Sequence, residues 1–344
     1  MRRKGSVRFA TGMLLVALSA TACGGGSASS GDKVELRLGY FPNLTHAPAL
    51  IGVEKGYFRQ ELGSNVTLKT ATFNAGNEAV TALFAGQLDI TYVGPNPAIN
   101  AFAQSKGSAI RIIAGSTSGG AALVVKPAIT NATALKGKKL ATPQLGNTQD
   151  VALRSWLGTQ GINVTREGGD VTIVAQQNSQ TLDTFKAGAI DGAWVPEPWA
   201  TRLRVEGGGK VLVDEKTLWP DGKFVTTHII VRTEFLNEHK DVVEAFLRGH
   251  VKAVRYANAN PAEAKTVANA AIGKLTGKPL GEATIDAAWE NLEFTFDPIA
   301  SSLRKSAEDA VKVGLLAPVA LEGIFALDAL NTVLQDIGES PIAV

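Results

Sequence analysis

The sequence predicts an α/β protein of two similar lobes with a cleft between them and a helical C-terminal tail. Three observations carry this. Short apolar segments alternate with helical ones as far as about residue 231, the pattern of sheets covered on their faces. Three pairs of segments also match at one offset of 102 residues. Ala85-Gly86-Gln87-Leu88-Asp89-Ile90-Thr91-Tyr92-Val93 is answered by Ala187-Gly188-Ala189-Ile190-Asp191-Gly192-Ala193-Trp194-Val195, Leu38 to Thr45 by Leu140 to Asn147, and Phe73 to Asn77 by Ala175 to Ser179. Beyond Lys240 the pattern is helical. A duplicated lobe supplies two similar sets of loops between which a ligand can be held.

The N-terminus reads as an address. Arg2, Arg3, Lys4 and Arg8 precede an apolar run, Phe9 to Ala20, that is short for a membrane span. Ala20-Thr21-Ala22-Cys23 then resembles a lipoprotein cleavage box, followed by a Gly/Ser tether to about residue 33. Ala20 stands where such boxes usually carry leucine, and the alternative is a plain secretory peptide with an incidental cysteine. Cys23 is the only cysteine in 344 residues, so the folded body contains no disulfide and no cysteine metal site. Without residues 1–22 the formal charge of +2 becomes about −2, which argues against nucleic acid as a partner. Val313 to Leu330 is interrupted by Pro318, Glu322 and Asp328 and reads as a buried helix, not a membrane span.

Val34 to Tyr40 alternates as a first strand, and Pro42 to Pro48 is a polar turn into a helix. Val66 to Phe73 leads through Asn74-Ala75-Gly76-Asn77 into a second helix. Ile90 to Val93 is a strand, Gly94 to Pro97 a turn, Ala98 to Gln104 a helix and Ile110 to Ala114 a strand. Leu123 to Val125 is a crossing strand, and Lys126 to Lys139 looks like a lobe boundary. Lobe two then carries Lys139 to Thr142, a helix after Asn147, Val171 to Ala175, a helix after Ser179, and Gly192 to Val195. Val225 to Val231 returns the chain to lobe one, and helices follow at 240–256, 261–270, 285–292, 300–313 and 320–337. The expected division is 34–123 with 227–344 as lobe one and 124–226 as lobe two.

Ligands of such sheets sit beyond the C-terminal strand ends, where helix starts present unpaired N–H groups to small oxyanions. The candidate starts carry Asn43, Thr45, His46, Asn74, Asn77, Asn96, Asn147, Thr148, Asn178 and Ser179. The asparagines, threonines and serine are also ordinary helix caps, but as a matched set these residues point to a binding cleft. On this reading Asn147→Ala weakens binding while leaving the fold nearly intact. In Trp194-Val195-Pro196-Glu197-Pro198-Trp199 either tryptophan can face the organic part of a ligand, or the aromatics pack on lobe two. A ligand-facing Glu197 would argue for a zwitterion. Asp89 and Asp191 hold equivalent places and read as local hydrogen-bond partners. His46 and His228 lie near cleft segments, while His239 and His250 read as surface residues of the tail. No nucleophile, metal cage, phosphate loop or dinucleotide signature stands out, so neither a catalytic site nor a cofactor is expected.

Gly39-Tyr40-Phe41-Pro42, His46-Ala47-Pro48-Ala49 and Glu54-Lys55-Gly56-Tyr57-Phe58 resemble the solute-binding components of ABC importers for aliphatic sulfonates, taurine and nitrate. Ala85 to Ile90, Leu135 to Leu140 and Asp191 to Pro198 are similar to the same family. The resemblance implies a type II periplasmic-binding-protein fold, with two lobes, a two-strand hinge and the tail on lobe one. It also implies ligand loops at Asn43 to His46, Asn74, Gly76 and Asn77, Gly94 to Asn96, Ser116 and Thr117, Asn147 and Thr148, and Trp194 to Trp199. The implied partners are an ABC permease with its ATPase and a small anion or zwitterion, for a monomer held outside the cytoplasm on the cell membrane by a lipid on Cys23. Nitrate or a thiamine-precursor-like solute is the alternative cargo. An enzyme on the same fold, using Glu197, Asp191 or His46, is the rival class.

Overall fold

The computed structural model describes residues 33–165 and 168–344. The signal segment, Cys23 and the tether to residue 32 lie outside the described residues. The strands are β1 (Val34–Tyr40), β2 (Val66–Thr72), β3 (Ile90–Val93), β4 (Ile110–Gly119), β5 (Ala121–Val125), β6 (Lys139–Thr142), β7 (Val164–Thr165), β8 (Gly168–Gly169), β9 (Thr172–Ala175), β10 (Gly192–Pro196), β11 (Lys210–Asp214), β12 (Val225–Arg232) and β13 (Leu292–Phe294). One sheet runs β13-β4-β12-β3-β1-β2 and the other β11-β5-β10-β6-β9, while β7 and β8 form a separate pair.

The helices of the first lobe are α1 (Ala47–Glu54), α2 (Tyr57–Leu62), α3 (Gly76–Phe84) and α4 (Pro95–Gln104). Those of the second are α5 (Thr148–Thr159), α6 (Asn178–Lys186) and α7 (Trp199–Val205). The tail adds α8 (Thr233–Glu238), α9 (Lys240–Ala259), α10 (Pro261–Thr276), α11 (Glu282–Trp289), α12 (Ala300–Lys312) and α13 (Asp328–Asp336).

The repeat survives in the topology. In each lobe a first parallel strand lies between the other two, β3-β1-β2 in one and β10-β6-β9 in the other. It survives at atomic level as well. Asp89 Oδ2 accepts the Arg37 N–H at 2.9 Å, and its equivalent Asp191 Oδ2 accepts the Lys139 N–H at 2.9 Å. The two aspartates pin the strand ends in both lobes, as local hydrogen-bond partners. In lobe one, buried Asp89 also holds Arg37 and Arg232.

The chain passes between the sheets at Gly120, which separates β4 from β5, and returns through the turn that precedes β12. Gly120 has φ +73°, and an added Cβ would meet the Leu292 side chain at 2.2 Å, so the crossing requires glycine. Lys126 to Lys139 is not a boundary. Its Ile129 and Leu135 are buried in the core of lobe two with Trp194.

Lobe one is buried on both faces of its sheet. Leu36, Leu38, Tyr92 and Ile229 pack against the tail through Phe246, Val254 and Leu330, so the tail completes this core. On the other face Val93, Ile99, Phe102, Ile112 and Leu303 pack together. His250 belongs to the first of these layers and not to the surface. It is fully buried, bonded to the Tyr92 hydroxyl and the Gly115 carbonyl, each at 2.9 Å. Burial holds its pKa down at about 4.

Two further expectations change. Helix 320–337 begins only at Asp328, and the preceding apolar stretch is an irregular strap. The positive φ of Gly314 and Gly323, with Pro318 between them, breaks helix there. The strap is nonetheless anchored. Ile112 N–H donates to Ile324 O at 2.7 Å, and Ala326 N–H donates to Ile112 O at 2.9 Å. The strand from Ile110 also runs on to Gly119, so Ser116 and Thr117 lie within β4 and not in a loop. Among the described residues, no helix is long and apolar enough to cross a membrane.

Candidate functional site

The loops beyond the parallel strands of the two lobes meet in a small chamber of about 30 Å³. Its wall repeats the sequence duplication. Phe41 and Pro143, Thr45 and Asn147, His46 and Thr148, Gly76 and Asn178, and Gly94 and Pro196 all line it, each pair 102 residues apart. Five helix starts contribute a residue: His46 before α1, Gly76 opening α3, Gly94 before α4, Thr148 opening α5 and Asn178 opening α6. Such starts carry N–H groups without intrahelical partners and a partial positive charge, which suits an anion.

The side chains supply matching chemistry without formal charge. Thr45 Oγ1, Thr148 Oγ1, Thr227 Oγ1 and Asn178 Oδ1 are buried on this wall with no hydrogen-bond partner in the protein. Buried polar atoms are normally satisfied, so four together in one chamber mark a place for something else to bind. His46 accepts the Phe41 N–H at Nδ1, at 3.3 Å, and stacks on the Phe41 ring. The proton therefore sits on Nε2, and burial lowers the ring's pKa to about 3, so His46 is a neutral donor. No lysine, arginine, aspartate or glutamate side chain lines the chamber among the described residues.

Its supports are identifiable. Asn147 Oδ1 caps α5 by accepting the Asp150 N–H at 3.1 Å. Asp150 in turn accepts from Gly146 N–H at 2.9 Å and Thr142 Oγ1 at 3.1 Å, which fixes the loop before α5. Thr117 Oγ1 donates to Thr45 O at 2.7 Å and props the opposite turn.

Of the residues expected to bind, Asn43, Thr45, His46, Asn74, Gly76, Asn147 and Thr148 line the chamber. Six do not, and each has a physical reason. Asn77 reaches across to the other lobe, with its N–H on Gln144 Oε1 at 3.1 Å and its Nδ2 on Leu145 O at 3.3 Å. Asn96 donates to Ser306 O at 3.1 Å and ties α4 to α12. Ser116 and Thr117 sit inside β4, and Thr117 acts through Thr45. Trp194 is fully buried in the lobe-two core beside Trp156, its Nε1 donating to Glu215 at 2.6 Å. Glu197 faces Thr201 and Asn291, whose Nδ2 donates to Oε1 at 2.7 Å, and borders a different cavity. His228 is likewise a core residue, bonded to Pro298 O at 2.8 Å.

Thr226 and Thr227 were missed, along with Gln149. The threonines belong to the returning strand β12, which the sequence shows only as an apolar strand, and a chamber wall brought in by a strand distant in sequence leaves no local signal. Phe41, Pro143 and Pro196 were findable, because the offset relates them to one another or to Gly94.

The lobes meet around the chamber. Besides Asn77, Asn100 Nδ2 donates to Gly146 O at 3.2 Å, and Trp199 Nε1 donates to Asn43 Oδ1 at 2.9 Å. Gly94 is essential to this approach, since a Cβ there would lie 2.4 Å from Thr148 Oγ1.

Residues 29–272 match the model of the NMT1-like family. The chain belongs to that family. Its relatives include the taurine-binding periplasmic protein of Escherichia coli (strain K12), 31% identical over 217 residues, which cover 62% of this chain. The chain spans 64% of the length of that relative. Among solved structures, the periplasmic nitrate-binding protein of Synechocystis PCC 6803 superposes with a TM-score of 0.76 at 17% identity, covering 89% of each chain. The alkanesulfonate-binding protein of Xanthomonas axonopodis pv. citri, bound to MOPS, superposes with a TM-score of 0.69 at 17% identity, covering 84% of this chain and 96% of that one. These superpositions establish the bilobal periplasmic-binding architecture of this NMT1-like chain.

Proposed function

We propose that this protein is the extracytoplasmic solute-binding component of an ABC importer. It closes on a small oxyanion-bearing solute, an aliphatic sulfonate or taurine-like compound, and delivers it to the permease. The observation that carries the reading is the chamber itself, with four unpartnered neutral polar atoms drawn from both lobes and set among helix starts. A solute touching both lobes favours their closed arrangement by its differential affinity, and closure changes the surface offered to a permease. Glu197 facing away from the chamber removes the reason to require a zwitterion, so a simple sulfonate suffices. The taurine-binding relative supports the same class of cargo. A lipid on Cys23 would hold a monomer beside the permease, and Cys23→Ala should release the protein from membranes of the producing cell.

Calorimetry on the mature protein tests the cargo directly, with methanesulfonate, taurine, nitrate and a thiamine precursor. Saturable binding of a sulfonate without turnover is the expected result. Binding of the heterocycle alone would overturn the oxyanion reading while keeping the importer role. Because no charged side chain lines the chamber, raising ionic strength from about 0.02 to about 0.5 M with a salt of bulky ions should shift Kd by less than about threefold.

A further inference from the structure

The lobes are not joined evenly around the chamber. On one side a groove of about 880 Å³ separates α7 of lobe two from the α10–α11 segment of the tail. On the other, the turn before α5 lies directly on lobe one. Gln144 Oε1 accepts the Asn77 N–H at 3.1 Å, Leu145 O accepts from Asn77 Nδ2 at 3.3 Å, and Gly146 O accepts from Asn100 Nδ2 at 3.2 Å. Consecutive residues of lobe two thus hold α3 and α4 of lobe one, and Gln144, Asn77 and Asn100 all stand outside the chamber wall.

This contact is prepared within each lobe. Asn77 lies in the first turn of α3, where a backbone N–H has no partner inside the helix, and Gln144 supplies that partner from the other lobe. The turn itself is fixed by lobe two. Asn147 N–H donates to Gln144 O at 3.3 Å, and Asp150 Oδ2 accepts the Gly146 N–H at 2.9 Å. The repeat shows why the two sides differ. At the offset of 102 residues Asn77 corresponds to Ser179 and Asn100 to Arg202. Ser179 is exposed and has no carboxamide, and Arg202 is paired with Glu206 through bonds of 2.8 and 3.1 Å.

We propose that Gln144, Asn77 and Asn100 form a latch that keeps part of the solute-free protein closed. They are positioning residues, which set affinity for every solute alike without touching one. This rests on the reading that the lobes close around a solute in the chamber. The observed affinity is then the intrinsic one scaled by the share of closed protein, and the latch governs that share. Asn77 thereby leaves the ligand set to which the resemblance assigns it.

Electron-spin distance measurements on solute-free protein test it. Cys23→Ser leaves no other cysteine, so labels at Lys69→Cys on β2 and Lys186→Cys on α6, both exposed, report the separation of the lobes. Gln144→Ala, Asn77→Ala and Asn100→Ala together should remove the shorter distances from the wild-type distribution. The single Gln144→Ala, in a turn outside either core, should act in the same direction if the triple variant does not fold. An unchanged distribution overturns the latch, whichever solute the chamber takes. In calorimetry each single substitution should weaken methanesulfonate and taurine by the same factor, about two- to tenfold. Losses that differ by more than about threefold between the two solutes would make these residues ligand contacts and refute the latch. If no sulfonate binds but the distances lengthen, the cargo reading falls and the latch stands.

Discussion

Thr148 and Asn147 are neighbours in the chamber wall, yet their substitutions should behave differently. Thr148 Oγ1 has no partner in the protein, so Thr148→Val keeps the shape and removes only a group available to solute. Losing one such hydrogen bond to an anion should weaken binding by about 1.5–3 kcal/mol, with unfolding of the solute-free protein nearly unchanged. Calorimetry and denaturant melts of the same preparation check both halves. Asn147→Ala is not the clean probe its place in the sequence suggests. Its Oδ1 caps α5, so the substitution should destabilise the protein by about 0.5–2 kcal/mol even without solute. Both roles assigned to an asparagine at a helix start, cap and cleft residue, are present in this one side chain.

At the scale of elements, the decisive feature is how closely the α4 start approaches the α5 start. Gly94→Ala would place a methyl group against Thr148, across the lobes and outside either core. The lobes should then remain folded but fail to close. Small-angle scattering with saturating sulfonate should show no decrease in radius of gyration, and affinity should fall by more than tenfold. An unaltered closing response would show that these helix starts do not need to meet. The elements were largely legible in advance. The offset of 102 residues relates five facing pairs of the chamber wall, three of which fall within the segments matched in the sequence, because duplicated strands end in duplicated turns. What stayed hidden was the part the returning strand plays in the site, since Thr226 and Thr227 of β12 reach the chamber only because the chain returns antiparallel beside β3. The helix expected before Asp328 fails for a related reason. Ile324 and Ala326 are tied to β4 by backbone hydrogen bonds to Ile112, a pairing that hydropathy alone does not distinguish from helix packing.

At the scale of the molecule, two buried carboxyls join distant parts. Glu197 links lobe two to Asn291 of the tail, and Glu215 receives Trp194 Nε1 in the lobe-two core. Desolvation raises each to about 7, against hydrogen bonds that favour the ionised form. An acid whose folded pKa is raised has no effect on stability while protonated in both states. As pH rises from about 4.5 through 7 the unfolded form ionises first, and native stability falls until both forms are ionised. Unfolding free energy should therefore decrease between about pH 5 and about pH 8, by up to about 3 kcal/mol per group. Glu215→Gln keeps an acceptor for Trp194 and should remove its share of that slope. An identical slope in the variant would assign the pH dependence elsewhere.

Local sequence determined the architecture and the polarity of the site. The strand and helix periods, the repeat and the neutral residues at helix starts are short-range properties that survive in any compact arrangement. Tertiary structure decided which of those residues face the cleft. Trp194 and Trp199 stand five residues apart in the same segment, yet one is sealed against Glu215 and the other lies at the edge of the cleft beside Asn43. Glu197 turned away because Thr201 and Asn291 satisfy a carboxylate that the uncharged chamber does not. The direction a side chain takes depends on partners distant in sequence, and only the packed lobes bring those partners within reach.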